Sequence, residues 1–207
     1  MEVRISVGEG LGVEILTKYL NKFYEEYPEI EIELLADTRS RSLSNRETDI
    51  LIALSRPKKG RLKSWKLCDY YVKLYGSSEY LQKNTQIAHI KDLTNHKFVN
   101  YADELIEFPE LYYLQEINSN PNIVFSSNSL RSQLLAVKNG IGIGLLHSFV
   151  AYKEKDLKVI LPEIINIRRE YWIVVHENNF HLRRIKAVTD FVTTILNDEK
   201  KFLSTVE

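Results

Sequence analysis

The side chains that most often carry chemistry are few in this chain and stand apart from one another. The five histidines are His89, His96, His147, His176 and His181, and no two of them are three or four residues apart. Two imidazoles share one helix face only when they are three or four residues apart, so we expect no metal site.

The single cysteine, Cys68, lies in an apolar stretch beside Asp69, where burial and negative charge both disfavour a thiolate. We therefore expect a buried structural thiol.

The segment Gly140-Ile141-Gly142-Ile143-Gly144 has the glycine spacing of a nucleotide-binding loop but not its order. A dinucleotide loop follows a strand and opens a helix. These glycines instead follow a predicted helix, Leu130 to Val137, and lie in a predicted strand, Ile141 to Leu146. We interpret them as points of close backbone packing and expect no cofactor. The nucleophile motif Gly-x-Ser-x-Gly is also absent, so we assign no catalytic residue and expect no enzyme activity.

Small and polar residues are concentrated at three predicted strand-to-helix junctions. These are Gly8-Glu9-Gly10, Thr38-Arg39-Ser40 and Ser127-Asn128-Ser129. Ligands of open α/β sheets bind at such junctions, because backbone N–H groups at helix N-termini hold anions. Serine and asparagine there also act as simple helix caps. The residues alone leave both interpretations open.

Hydrophobic periodicity predicts the elements that position the first two junctions. A strand is predicted at Glu2–Val7, a helix from Leu11 that ends before Pro28, and further strands at Ile30–Leu35 and Asp49–Leu54. This order predicts a parallel sheet with crossover connections.

The later part of the chain has strong signals at both ends and weak ones between. Strands are predicted at Leu62–Cys68, Tyr70–Tyr75, Ile123–Phe125 and Tyr171–Val175, and a final helix runs from His181 to about Leu196. The stretch from 85 to 120 is polar, with only short candidate helices near Ile90 and Pro109.

Charge and length exclude several classes of protein. The 207 residues contain 28 Lys+Arg and 28 Asp+Glu. A chain without a basic surplus has at most a local patch for DNA, so we expect poor nucleic-acid binding by these residues alone. Six basic and no acidic residues lie between Arg56 and Lys66, which we interpret as a solvated face, with a phosphate or DNA contact as the alternative. No apolar run approaches the roughly 20 residues of a membrane span, and no secretory signal is present, so we expect a cytoplasmic protein.

The order and spacing of these pieces resemble the effector-binding (substrate-binding) domain of LysR-type transcriptional regulators, from about residue 3 to residue 197. The matching segments are Val3–Val7 with Tyr27-Pro28-Glu29-Ile30, Thr48–Ile52, Asp92-Leu93 with His96, and Leu135–Leu146. The last matches the family signature V/A-x-x-G-x-G-I-A/G-L-L. Each segment alone is common, and the set is specific.

The resemblance implies an α/β, two-lobed periplasmic-binding-protein-like (type 2) fold with two crossover hinge strands. Lobe I is expected at 1–72 plus 172–207 and lobe II at 73–171. The family's N-terminal winged helix-turn-helix is expected to be absent here, because Met1 directly precedes the first strand.

The family binds a small effector between its lobes, and its effector-binding positions transfer residue by residue. They are Gly8, Glu9, Gly10, Leu11, Thr38, Arg39, Ser40, Asn100, Tyr101, Asn128, Ser129 and His147. Gly10 stands where the family often has a carboxylate-holding Ser or Thr, and His147 where it commonly has Pro. We therefore hypothesise that Glu9 favours an amine or hydroxyl on the effector, while Arg39 pairs with an acidic group.

The resemblance also implies a function and its partners. We expect an effector-sensing regulatory domain that forms a homodimer, and a higher oligomer in a full-length parent. The helix from Leu11 to Tyr27 of one copy is expected against the helix Leu130–Asn139 of the other. DNA would be bound only through the N-terminal domain, and no membrane partner is expected. The alternative is a solute-binding protein of a transporter, which shares the fold.

Overall fold

The structure is a computed structural model that describes residues 1–37, 43, 47–102 and 108–203. The chain forms two units. Unit 1 contains Met1–Asp69 and Glu170–Leu203, and unit 2 contains Tyr70–Arg169. Two long strands, β4 (Leu62–Ser77) and β9 (Asn166–His176), each run from one unit into the other.

The sheet of unit 1 is built around β1 (Glu2–Val7). β1 pairs in parallel with β2 (Glu31–Ala36) and with β3 (Ile50–Ala53), which confirms the predicted parallel arrangement. β3 pairs antiparallel with the unit 1 part of β9. The inward residues of these strands, including Val3, Ile5, Ile52 and Val174, are almost fully buried, as the alternation of β1 and the apolar run of β3 predict.

The first helix of unit 1 begins two residues earlier than predicted. Helix α1 (Glu9–Leu11), a π-helical segment (Gly12–Leu16) and α2 (Thr17–Glu26) follow one another without a break. The prediction began at Leu11 because the preceding residues, Glu9 and Gly10, do not belong to the apolar stripe. The stripe packs on the C-terminal helix, where the rings of Phe23 and Phe191 lie 4.9 Å apart.

In unit 2, the strands surround β7 (Ile143–His147). β7 pairs antiparallel with β4 and parallel with β5 (Lys97–Asn100), and β5 pairs parallel with β6 (Asn122–Ser126). β8 (Leu157–Ile160) pairs antiparallel with the end of β4. The two strands predicted at 62–68 and 70–75 are thus one strand: Asp69 between them is only half-buried and forms an ion pair with Lys66, so it does not interrupt β4.

The helices of unit 2 are short. They are α3 (Ser78–Lys83), α4 (Leu130–Lys138) and α5 (Ser148–Ala151), with 3₁₀ turns at Ile90–Asn95, Pro109–Leu111 and Leu114–Glu116. Unit 1 adds α6 (Arg183–Asp198) and α7 (Lys200–Leu203).

Helix α4 has the two ends that its sequence predicts. The Ser129 hydroxyl accepts the N–H of Ser132 at 3.1 Å, and Gly140 follows the helix with a φ of 73°. The strand predicted from Ile141 begins only at Ile143. The reason is that the N–H groups of Gly140 and Ile141 still bond to helix carbonyls, those of Val137 and Ala136.

Candidate functional site

In unit 1, the predicted site residues that the structure describes lie at the junction between β1 and the first helix. Gly8 has an extended backbone, and its carbonyl accepts the N–H of Gly12 at 3.0 Å. A side-chain carbon placed on Gly8 would meet no atom within 4 Å, so open space lies beside this glycine. The junction therefore offers backbone at a surface that a ligand can approach.

The residues after Gly8 turn progressively into the core. Glu9 is half-buried, Gly10 is buried and the Leu11 side chain is fully buried. Leu11 as a whole residue, backbone included, is therefore out of reach of solvent in this structure.

A π-helical turn follows this junction directly. A side-chain carbon on Gly12 would lie 2.9 Å from Cγ1 of Val7 and 3.1 Å from Cβ of Ala36, so glycine lets the helix approach β1 and β2 closely. The Thr17 hydroxyl donates to the Gly12 carbonyl at 2.9 Å, across the widened turn. Such turns often occur at functional sites, and the 3,4 spacing of the stripe does not reveal them.

Thr38, Arg39 and Ser40, the second predicted junction, lie outside the described residues.

In unit 2, the predicted site residues lie at or near the carboxyl ends of three parallel strands, β5, β6 and β7. Asn100 ends β5, and its carbonyl accepts the N–H of Ser127 at 3.1 Å. The Ser127 carbonyl accepts the N–H of Ala102 at 3.2 Å and the side-chain amide of Gln133 at 2.9 Å. The Ser127 hydroxyl accepts the N–H of Ser129 at 3.1 Å. These bonds join the end of β5 to the start of α4, where Asn128 is exposed.

His147 ends β7 within a cluster of buried aromatic side chains. The hydroxyl of Tyr113 lies 3.1 Å from Nε2 of His147 and 3.3 Å from the hydroxyl of Tyr70. The Tyr101 ring packs edge-on against Tyr113, with centroids 6.2 Å apart. Tyr113 thus links two predicted site residues, Tyr101 and His147. Sequence analysis missed Tyr113 and Tyr70, although the aromatic pair at 112–113 was the available signal in that weak segment.

Burial keeps the His147 imidazole neutral. Loss of hydration lowers the pKa of His147 to about 3, and Nδ1 has no hydrogen-bond partner among the described residues. His147 therefore carries no positive charge at neutral pH. Its neutral ring has one nitrogen that donates a hydrogen bond and one that accepts.

The alternative sites considered from the sequence have structural explanations. Cys68 is buried, and burial, followed by the charge of Asp69, raises the pKa of its thiol to about 12. A side-chain carbon on Gly142 would lie 2.5 Å from the carbonyl oxygen of Lys97, and one on Gly144 would lie 2.8 Å from Cγ2 of Val137. Both glycines therefore permit close packing, as predicted.

Among the described residues no group of three or more metal-binding side chains comes together. Within the same residues, no helix combines the length and the apolar character needed to cross a bilayer.

Two proteins with similar sequences are transcriptional regulators. The chain is 24% identical over 203 residues to the glycine cleavage system transcriptional activator homolog of Haemophilus influenzae, covering 96% of this chain and 66% of that protein. It is also 24% identical over 211 residues to the uncharacterized HTH-type transcriptional regulator YkuM of Bacillus subtilis, covering 97% of this chain and 69% of the relative. The chain thus spans about two thirds of the length of each.

Solved structures share the fold. The regulatory domain of CrgA, a LysR-type transcriptional regulator from Neisseria meningitidis, superposes with a TM-score of 0.81 at 20% identity, covering 95% of this chain and 98% of that one. The CcmR regulatory domain of Synechocystis, solved in complex with 2-PG, gives a TM-score of 0.78 at 14% identity, with 95% and 98% covered. The type 2 periplasmic-binding-protein-like fold is confirmed by these neighbours. The model of the LysR substrate binding domain matches residues 1–196, and this chain belongs to that family.

Proposed function

We propose that this chain is the sensing part of a LysR-family transcriptional regulator, which binds a small effector and transmits its occupancy to a DNA-binding part of the whole protein. The observation that carries the proposal is the family match over residues 1–196. The named relatives are regulators, which argues against the alternative of a transporter's solute-binding protein. Effector binding controls such a protein by favouring one of its conformations, and no catalytic step is needed. We propose that the chain is not an enzyme and acts in the cytoplasm, where the DNA is.

The two units are proposed to be the two lobes of the family fold, and each contains residues that we propose for effector binding. Unit 1 supplies Gly8–Leu11 and the predicted residues 38–40. Unit 2 supplies Asn100, Tyr101, Asn128, Ser129 and His147. The open space beside Gly8 supports the assignment of that residue.

Glu9 is proposed to select the chemistry of the effector. It is half-buried in the first turn of the helix beside Gly8. A carboxylate there favours a partner that donates hydrogen bonds, such as an amine or a hydroxyl, and disfavours a simple carboxylate. A zwitterion such as an amino acid supplies both groups, an ammonium for Glu9 and a carboxylate for Arg39.

A thermal-shift screen tests effector binding. Amino acids, amines and organic acids would be screened against the wild type, Glu9→Gln and Glu25→Gln, the last being an exposed carboxylate on the same helix. A cationic or zwitterionic ligand should raise the melting temperature of the wild type and Glu25→Gln, and do so less for Glu9→Gln. Stabilisation only by simple carboxylates, unaffected by Glu9→Gln, would refute the role of Glu9.

A second variant tests contact at Gly8. Because open space lies beside this residue, Gly8→Val should fold normally. If the effector approaches the backbone there, the valine side chain should weaken binding at least tenfold in calorimetry. Unchanged affinity would remove Gly8 from the site.

Dimerisation is the other part of the proposal. Val13 on the first helix and Leu135 on α4 are 50% and 42% exposed, which supports an apolar contact between these helices of two copies. Light scattering should report a dimer for the wild type and a smaller species for Leu135→Glu. A wild-type chain that stays monomeric at high concentration would contradict this arrangement.

A further inference from the structure

Two segments of unit 1 that are distant in sequence meet at one surface. The N–H of Glu177 donates to the carbonyl of Arg61 at 2.9 Å, and Nζ of Lys63 lies 4.2 Å from the ring centroid of Phe180. The Trp65 ring packs edge-on against Phe180, with centroids 6.0 Å apart. Helix α6 begins three residues after Phe180. These contacts bring the basic run after Arg56 next to the basic start of α6.

The two segments carry an excess of basic residues, although the whole chain has no net charge. Residues 56–66 contain six basic and no acidic residues, and residues 177–186 contain three basic residues and one acidic residue, Glu177. Of the 28 basic and 28 acidic residues, removal of these nine and one leaves 19 basic against 27 acidic. Zero net charge therefore hides a local positive region. We call Lys58, Lys59, Arg61, Lys63, Arg183 and Arg184 the basic surface.

Most of these cations are free to meet an external anion. Arg61 has one ion pair, with Glu177 at 3.4 Å, in which the two side chains are 72% and 51% exposed. Across the described part of the chain, the other five have no ion-pair partner, and Arg184 alone among them is half-buried rather than exposed. A pair as exposed as Arg61 with Glu177 is weak and yields readily to a competing anion.

Arg183 and Arg184 do not stabilise the start of α6. Its N-cap residue, Leu182, makes no side-chain cap, and the first turn contains no acidic residue. Arg183 and Arg184 lie at the positive end of the helix dipole, where a cation lowers helix stability. The charges at this position therefore disfavour the helix, and a bound anion would reverse that effect.

The chemistry of the surface fits phosphates better than a protein partner. Protein interfaces usually have an apolar centre. The large hydrophobic side chains that are exposed in the described residues all lie elsewhere, and the Phe180 ring is half-buried beneath Lys63. Exposed lysines and arginines clustered on one face are typical of surfaces that bind a nucleic-acid backbone.

We propose that the basic surface binds the phosphates of duplex DNA without sequence preference. This goes beyond the proposed effector sensing, because it uses a different surface. It also departs from the expectation that DNA is bound only through the N-terminal domain, because it gives these 207 residues a DNA contact of their own. Contacts to about four phosphates predict that the logarithm of the affinity falls with the logarithm of salt concentration with a slope of about −3.6.

Fluorescence anisotropy with a labelled duplex of about 20 base pairs tests the proposal at low salt. The wild type should bind with a micromolar dissociation constant that is independent of sequence. A Lys58→Glu, Lys59→Glu, Lys63→Glu triple variant should bind at least tenfold more weakly. The matched control changes Lys91, Lys155 and Lys158 to Glu, which are exposed cations of unit 2 with no ion-pair partner among the described residues. Circular dichroism verifies that both variants fold.

Each result decides for or against the proposal. Weakening by the basic-surface variant but not by the control supports it. Equal weakening by both, or no binding at about 100 µM protein in low salt, overturns it. Competition by poly-glutamate as strong as by DNA would assign the surface to an acidic protein and also overturn it. None of these results depends on an effector, so failure here leaves the thermal-shift test of sensing intact.

Discussion

The phenol oxygen of Tyr113 lies 3.1 Å from Nε2 of His147, and this bond is made by an imidazole that is only 4% exposed. The bond spans 34 residues of sequence, from Tyr113, which directly precedes the 3₁₀ turn Leu114–Glu116, to the end of β7. It therefore fixes the otherwise irregular segment around Tyr113 to the sheet of unit 2.

Tyr113→Phe should destabilise the protein by about 1–3 kcal/mol, because it leaves a buried nitrogen of His147 without a partner. Urea denaturation measures the loss. Tyr24→Phe removes a hydroxyl from a ring that is 38% exposed and should change the free energy of unfolding by less than about 0.5 kcal/mol. Equal effects of the two variants would show that the Tyr113 bond contributes nothing.

His147 should make stability depend on pH. Its pKa is about 3 in the folded protein and about 6.5 when unfolded, so between these values the unfolded chain binds the extra proton. Stability is therefore complete above pH 6.5 and is lost as pH falls towards 3, by about 2 kcal/mol between pH 7 and 5. Relative to the wild type, His147→Gln should lose about that much less stability over this interval. Parallel pH profiles for the wild type and His147→Gln would exclude the imidazole as the cause.

Cys68 should be unreactive in the folded protein. Burial and the Asp69 charge raise its thiol pKa to about 12, so almost no thiolate forms at pH 8. A chromogenic disulfide reagent should label it only in denaturant, while an exposed control thiol, Ser55→Cys, should react within minutes. Rapid labelling of the native wild type would mean that the strand around Cys68 opens easily.

Gly142→Ala should destabilise the protein by about 1–3 kcal/mol, because the new methyl group would meet the backbone carbonyl of Lys97 at 2.5 Å. Gly8→Ala is the control, since its methyl group meets no atom within 4 Å and should leave stability nearly unchanged. Thermal unfolding compares the two. A tolerated alanine at Gly142 would mean that β5 can move away from the segment before β7.

Local signals in the sequence are sufficient for α4 and for β1. Ser129 supplies a cap, Gly140 a left-handed stop, and the apolar residues between them a buried stripe. The alternation in β1 predicts its buried face in the same way. In each case the residues that define the element lie within it, so no distant contact is needed to find it.

The elements that sequence analysis missed depend on distant neighbours. β5 and β8 are four residues long, too short for a period, and are held by pairing with β6, β7 and β4. The π-helical turn at Gly12 arises from close packing on Val7 and Ala36. Tyr113 joins the candidate site through Tyr101 and His147, and no local pattern encodes these contacts.

The contrast between Gly8 and Gly142 has an evolutionary consequence. A missense change at codon 142 places any new side chain against a peptide carbonyl, so related sequences should retain glycine there whatever they sense. At position 8 the fold imposes no such restriction, so related sequences are free to replace the glycine with another residue. An alignment of relatives should therefore show glycine almost always at position 142 and a variety of residues at position 8.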